Sequence, residues 1–221
     1  MTSTGSDFGL PIPDSITARA VERRFEARQD LFLEGDEAAE LFGILEGRVK
    51  LWRALDDGGA WSFLILGPGE LLGSVAMAQG GPHLVSATAL DDVAVAAWCA
   101  PLFRDALNDA PDLADGFLRL VAKRADQLLR HFGDVAGLPV EKRVARVLLR
   151  QLSGADPHGD GCGAVIDIRQ QDLADMALTT VPTISRIFAA WSRDGVAQAE
   201  RGRLIVPRLS SLAAVAGLRL D

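Results

Sequence analysis

The apolar positions change rhythm along the chain. From Glu22 to Trp98 they come in short alternating runs broken by glycines and acidic pairs. LFGILEGRVKLW (41–52) reads as two strand pieces around a turn at Glu46-Gly47, and DDGG (56–59) separates that run from AWSFLIL as a hairpin partner. GPGELLG (67–73) is a further turn cluster, and VSATALDDVAVAAW (85–98) supplies two more strands around Asp91-Asp92. Short strands at regular spacing predict an antiparallel sandwich or barrel. Between Ala110 and Val135 the spacing becomes helical. Leu113, Phe117, Leu120, Val121, Leu128, Phe132 and Val135 recur in steps of three, four and seven, which places them on one face of a long helix. Near-heptad spacing suits pairing with a second copy, and suits packing on the chain's own domain equally well.

Gly137 and Pro139 end that helix and start VEKRVARVLLRQL, with Pro139 at a first helical position and Glu141 at the positive end of the dipole. A loop rich in Gly, Asp and Pro follows (154–163). Beyond Ile168 two short apolar faces appear. Leu173, Met176 and Ala177 give the first, and Ile184, Ile187, Phe188 and Trp191 the second, with a break at Leu178-Thr179-Thr180. Two short helices joined by a tight turn predict a helix-turn-helix. Thr180 suits the N-cap, so Pro182 falls in the first turn, where its missing N–H costs nothing. Ser185 and Arg186 then point away from the buried face near the helix start, where recognition helices reach base edges. AQAERGRLIVP adds a Gly-centred turn between two strands with Arg201 and Arg203 at its tip, a basic wing suited to phosphate contact.

Charge sharpens this picture. The net charge of −7 is unevenly divided: residues 1–138 hold 12 Lys and Arg against 21 Asp and Glu, and residues 139–221 hold 11 against 9. The acidity belongs to the strand-rich part, and the helical tail is mildly basic. With 221 residues, 48% of them hydrophobic, the chain fits one or two domains. It has no apolar run of membrane-spanning length and no signal-peptide pattern at its N-terminus. Cys99 and Cys162 are far apart, so a reduced cytoplasmic protein is expected. Catalysis is not expected: no Ser/His/Asp set, nucleotide-binding glycine loop or metal motif is present, and GPGELLG lacks the lysine of a P-loop.

From LFLEGDEAAELFGILEGRVKLW, through GPGELLG, the long helix and RVARVLL, to QQDLADMALTTVPTISRIF and the wing, the chain resembles the CRP/FNR superfamily of bacterial transcription regulators. The resemblance covers residues 20–217 and implies an α+β protein in three parts. These are a sensory, cyclic-nucleotide-type antiparallel β-roll (1–109), a long dimerisation helix (110–136) and a winged helix-turn-helix (137–221). It implies a homodimer through residues 110–136 on palindromic double-stranded DNA, with RNA polymerase as a further candidate partner and no membrane. It also implies DNA contacts from Thr180, Val181, Thr183, Ser185 and Arg186, with Arg201 and Arg203 on phosphate. Many relatives carry a glutamate where Pro182 stands, so the half-site is expected to be relaxed or shifted at that base pair.

In cyclic-AMP-binding relatives a glutamate after the GxxxG turn and an Arg-Ser pair hold the nucleotide. Here Ser74, Leu84 and Val85 stand at those places, and an anion buried against them would lack a counter-charge, so cyclic AMP is not expected. Iron–sulfur clusters of the FNR type need four cysteines, and no Cys/His pair has zinc spacing. GELLGSVAMAQGGPHLVSATALDD and DLADMALTTVPTISRIFAAWSRDGV are most similar to the NnrR/Dnr branch, which implies a response to nitric oxide through haem. On that reading Leu72, Gly73, Ser74, Val75, Leu84 and Val85 line the effector pocket. His83 and His131 are then the candidate haem ligands, and Cys99 is a weaker one.

Overall fold

The computed structural model describes residues 8–56, 58–152, 163–200 and 203–218. In chain order the first elements are α1 (Asp14–Thr17), β1 (Val21–Phe25), β2 (Asp30–Phe32), β3 (Glu40–Glu46), β4 (Val49–Ala54), β5 (Ala60–Leu66), β6 (Leu71–Leu72) and α2 (Ser74–Gln79). Next come β7 (Ser86–Ala89), β8 (Val93–Cys99), α3 (Ala100–Asp109) and α4 (Pro111–Gly137). The remainder is α5 (Val140–Leu152), β9 (Ala164–Asp167), α6 (Gln170–Met176), α7 (Val181–Arg193), β10 (Gln198–Glu200), β11 (Arg203–Val206) and α8 (Leu209–Ala216). The chain divides into two compact units, residues 1–53 with 64–128, and residues 54–63 with 129–221. The division falls inside α4, between residues 128 and 129.

Two four-stranded sheets build the strand-rich part, in the orders β1-β8-β3-β6 and β2-β7-β4-β5. The turns at Glu46-Gly47 and Asp91-Asp92 therefore do not make hairpins. Each carries the chain from one sheet to the other, since β3 pairs with β8 and β6 while β4 pairs with β7. Gly47 is required at the first of these turns: its φ is +79°, and a Cβ there would lie 2.3 Å from the Asp92 carbonyl oxygen. The DDGG loop does join sheet neighbours, β4 and β5.

Strand β8 explains the apolar run VAVAAW. Val93, Val95 and Ala97 point into one core with Phe32, Phe42, Ile44 and Leu72. Ala96 and Trp98 point the other way, into a second core with Leu41, Phe103, Leu113 and Phe117. A strand covered on both faces needs apolar residues at every position, not every second one. The second core is closed by α3, which the sequence reading did not resolve, and by the start of α4.

Helix α4 runs for 27 residues. Its apolar positions divide along its length: Leu113 and Phe117 are buried, Leu120 and Val121 pack partly against the same core, and Leu118, Leu129 and Phe132 are exposed. Packing on the chain's own domain therefore accounts for Leu113, Phe117, Leu120 and Val121.

In the second unit α5 buries Val144, Ala145, Val147 and Leu148, α6 buries Leu173 and Met176, and α7 buries Ile184, Phe188 and Trp191. Strands β10 and β11 pair antiparallel as the wing, and β9 extends them to a three-stranded sheet. The architecture is the expected α+β arrangement of antiparallel sheets, long helix and winged helix-turn-helix. No helix among the described residues is long and apolar enough to cross a membrane.

Candidate nucleic-acid interface and effector residues

Thr180 takes an extended N-cap conformation (φ −112°, ψ 152°), and the first α7 bond runs from the Ile184 N–H to its carbonyl oxygen at 3.0 Å. Pro182 thus sits where no intrahelical N–H is needed. The Thr180 hydroxyl lies 3.0 Å from that of Thr183 and makes no side-chain cap bond to the backbone. The apolar spacing Ile184, Phe188, Trp191 buries one face, which leaves Pro182, Ser185, Arg186, Ala189 and Arg193 on an exposed stripe. The helix contains no acidic residue, and Arg186 has no ion pair among the described residues. Its N-terminal turns therefore offer positive dipole and a free guanidinium on the same side. Val181 and Thr183 are half-buried, so Ser185 and Arg186 are the more available of the expected base-contacting residues.

The Ser185 hydroxyl donates to Gln170 Oε1 at 2.8 Å, which ties the exposed face of α7 to the start of α6. Gln170 was not singled out by sequence, because nothing local marks a glutamine as a partner fifteen residues away. Arg203 donates to Asp167 Oδ1 at 2.9 Å across β11 and β9, both side chains staying exposed. Arg201 lies outside the described residues.

The turn between α6 and α7 is closed by backbone and by one arginine. Leu178 has φ +46°, Thr179 N–H donates to the Ala174 carbonyl at 2.9 Å, and Leu178 N–H approaches that of Asp175 at 3.4 Å. This is a Schellman-type helix end with leucine where glycine is usual. Arg143, from α5, donates through Nε to the Ala177 carbonyl (2.9 Å) and through Nη2 to that of Leu178 (3.0 Å). Its Nη1 reaches the Val135 and Leu138 carbonyls at 3.4 and 3.5 Å. One guanidinium thus satisfies carbonyls at the ends of two helices, a task for its planar fork.

The six expected effector residues take different places in the first unit. Leu72 belongs to the core between the sheets. Gly73, in the left-handed region, is the N-cap of α2, and Ser74 is buried at that helix's first position. Val75 and Val85 are half-buried, and Leu84 is 45% exposed.

The two histidines are also built into packing. His83 is buried and stacked on Phe32, with ring centroids 3.6 Å apart. Burial lowers its pKa, and the Asp36 carboxylate partly opposes this. His131 is 2% exposed; its Nε2 accepts from Trp61 Nε1–H at 3.2 Å, and Arg150 Nη2 lies 3.2 Å from Nδ1. Since an indole N–H can only donate, the neutral ring carries its proton on Nδ1, toward the Met176 carbonyl, and the Arg150 guanidinium, also donor-only, bears on Nδ1 as a charge and not as a hydrogen-bond partner. Burial first, then the Arg150 charge, pushes the His131 pKa down to about 4. Beside it Asp134, 6% exposed, accepts from Arg146 at 2.6 Å and Arg150 at 2.5 Å. Cys99 is exposed at the end of β8.

Comparison with known proteins agrees with this geometry. Residues 22–110 match the family described as cyclic nucleotide-binding domain, and residues 142–215 match the Crp-like helix-turn-helix domain. The chain is 27% identical over 194 residues to the cyclic AMP receptor protein of Thermus thermophilus, covering 88% of this chain and 87% of that one. It is 25% identical over 191 residues to the CRP-like cAMP-activated global transcriptional regulator of Mycobacterium tuberculosis, covering 86% and 85%. The solved structure of FixK2 from Bradyrhizobium japonicum shares the fold with a TM-score of 0.79 at 20% identity, over 91% of this chain and 98% of that one. A cyclic-nucleotide-type domain followed by this helix-turn-helix, matched along most of the chain by transcription regulators, makes the protein a member of the CRP/FNR family of DNA-binding transcription regulators.

Proposed function

We propose that two copies of the chain pair through α4 and present their α7 helices to a palindromic DNA site, under the control of an effector other than cyclic AMP. The observation that carries the DNA reading is the acid-free exposed stripe of α7, with Arg186 unpaired near the positive end of the helix. Arg186 is assigned to guanine through a bidentate contact, with Ser185 beside it and Thr180, Val181 and Thr183 flanking the base edges. Arg203, and Arg201 by resemblance, serve the phosphates. Replacing Arg186 by alanine should cost roughly 1–3 kcal/mol on the preferred site. Selection from a randomised site library with both proteins checks this; identical preferences would remove the assignment.

Although several relatives are named for cyclic AMP, here Ser74 is buried and Leu84 exposed where the resemblance places the nucleotide's glutamate and arginine. Calorimetry with cyclic AMP should show no saturable binding, and micromolar affinity would overturn that part. Nitric oxide sensing through haem is the second effector reading, supported by the likeness of residues 69–92 and 172–196 to the NnrR/Dnr branch. The residues as arranged do not fit the group: His83 is stacked on Phe32, and His131 is engaged by Trp61 and Arg150. An anaerobic haem titration decides it, since uptake of one haem per subunit with a nitric-oxide-dependent spectrum would require one histidine to leave its packing.

A further inference from the structure

Arg124 is a buried cation with a donor to spare. Its side chain is 5% exposed. Nη1 lies 3.1 Å from Glu70 Oε1 and donates to Gln127 Oε1 at 2.9 Å, while the buried Nη2 has no hydrogen-bond partner among the described residues. Buried guanidinium donors are nearly always satisfied, so an orphan of this kind calls for an acceptor. The same side chain lines a cavity of about 220 Å³ between the Gly69-Glu70 turn and α4, all within the first unit. Arg119 and Lys123 line it too, one helical turn apart, a like-charge spacing that is unfavourable on a bare helix. Arg119 is partnered by Asp115, but Lys123 has no ion pair among the described residues. Glu70 is the one acidic group in the lining, and its Oε2 is already occupied by the Gly67 N–H at 3.0 Å.

With Arg119 paired to Asp115, Arg124 and Lys123 are left against the one carboxylate of Glu70, and this surplus cation beside an orphaned N–H asks for negatively charged oxygen. The volume falls below the usual range of about 300–1,000 Å³ for drug-sized ligands, so a macrocycle does not fit. None of Leu72, Gly73, Ser74, Val75, Leu84 or Val85 lines the cavity, which separates it from the expected nucleotide position. We infer that this cavity binds a small oxyanion, a phosphate or carboxylate group carried on few atoms, with Arg124 as its buried anchor and Lys123 at its rim. In that role the oxyanion is the effector of the regulator proposed above, and this last step rests on that reading.

The test is calorimetry on the full-length protein with inorganic phosphate and, separately, succinate, at constant ionic strength. Preference for one or the other identifies the source of the charge. One site per subunit is expected. Arg124→Met should weaken it at least about tenfold, as loss of a charge-assisted bond implies, and Lys123→Ala by about threefold. Glu70→Gln should tighten binding, because it removes the competing carboxylate and releases Nη1. That variant also keeps the inference testable if Arg124→Met fails to fold, since a purely structural ion pair predicts no gain. No saturable binding of either anion, or equal binding by wild type, Lys123→Ala and Glu70→Gln, overturns the site. DNA affinity measured with and without the bound anion then separates the two levels. An unchanged DNA affinity removes the cavity as the effector site, whereas intact operator binding without any anion uptake overturns the cavity alone and leaves the DNA reading standing.

Discussion

At the scale of single residues, His131 carries the clearest pH signature. Its folded pKa of about 4 lies below the ordinary value of 6.5. Above pH 6.5 folded and unfolded chains are both neutral at this site, and stability is unaffected. As the pH falls from 6.5 towards 4 the unfolded chain takes up a proton that the folded one refuses, so stability is lost through that window, by roughly 3 kcal/mol in all. His131→Gln removes the titration but can still meet Trp61. Urea unfolding of both proteins at pH 7 and pH 4.5 should show the variant losing less stability, and parallel losses would sink the assignment. Sequence could not reveal this. On the long helix His131 looks like a solvent-facing residue, and the indole that buries it comes from Trp61, seventy positions earlier.

At the scale of elements, local signals were read well and long-range ones poorly. The bounds of α5 and α7 followed from Pro139, Thr180 and Pro182, because capping acts within one turn. The partition of strands between two sheets did not, because a turn at Gly47 or Asp92 says nothing about which distant strand lies alongside. The helix pair was legible from its apolar spacing, yet the clamp that fixes it was not, since Arg143 reaches from another helix to carbonyls 34 and 35 positions ahead. Replacing Arg143 by methionine should destabilise the second unit by roughly 2–4 kcal/mol, as partners of a charged donor are left unpaired. Arg143→Lys should recover little, because an ammonium lacks the fork. In the wing, Arg203→Ala should weaken binding to all DNA sequences alike and reduce the slope of log affinity against log salt by about one. A loss confined to one sequence would mean that Arg203 reads a base.

At the scale of the whole molecule, the exposed Leu118, Leu129 and Phe132 on α4 are what a second copy would cover. Phe132→Glu is expected to turn a dimer into a monomer in sedimentation experiments at micromolar concentration while the circular dichroism stays unchanged. A monomeric wild type would remove α4 as the seam. The pairing order of the first sheet has a different consequence, for synthesis. Strand β8 lies between β1 and β3, with Val21 opposite Ala97 and Leu41 opposite Trp98. Neither earlier strand has its main partner until Cys99 has left the ribosome. Until then β1 and β3 expose unpaired edges, and closing so long a loop is slow. The nascent chain therefore passes through a stretch of elongation in which nearly half of it has been made and its central sheet cannot yet exist. A synonymous slowing of translation before residue 93 lengthens that exposed interval, while the same slowing after residue 99 gives the sheet time to close.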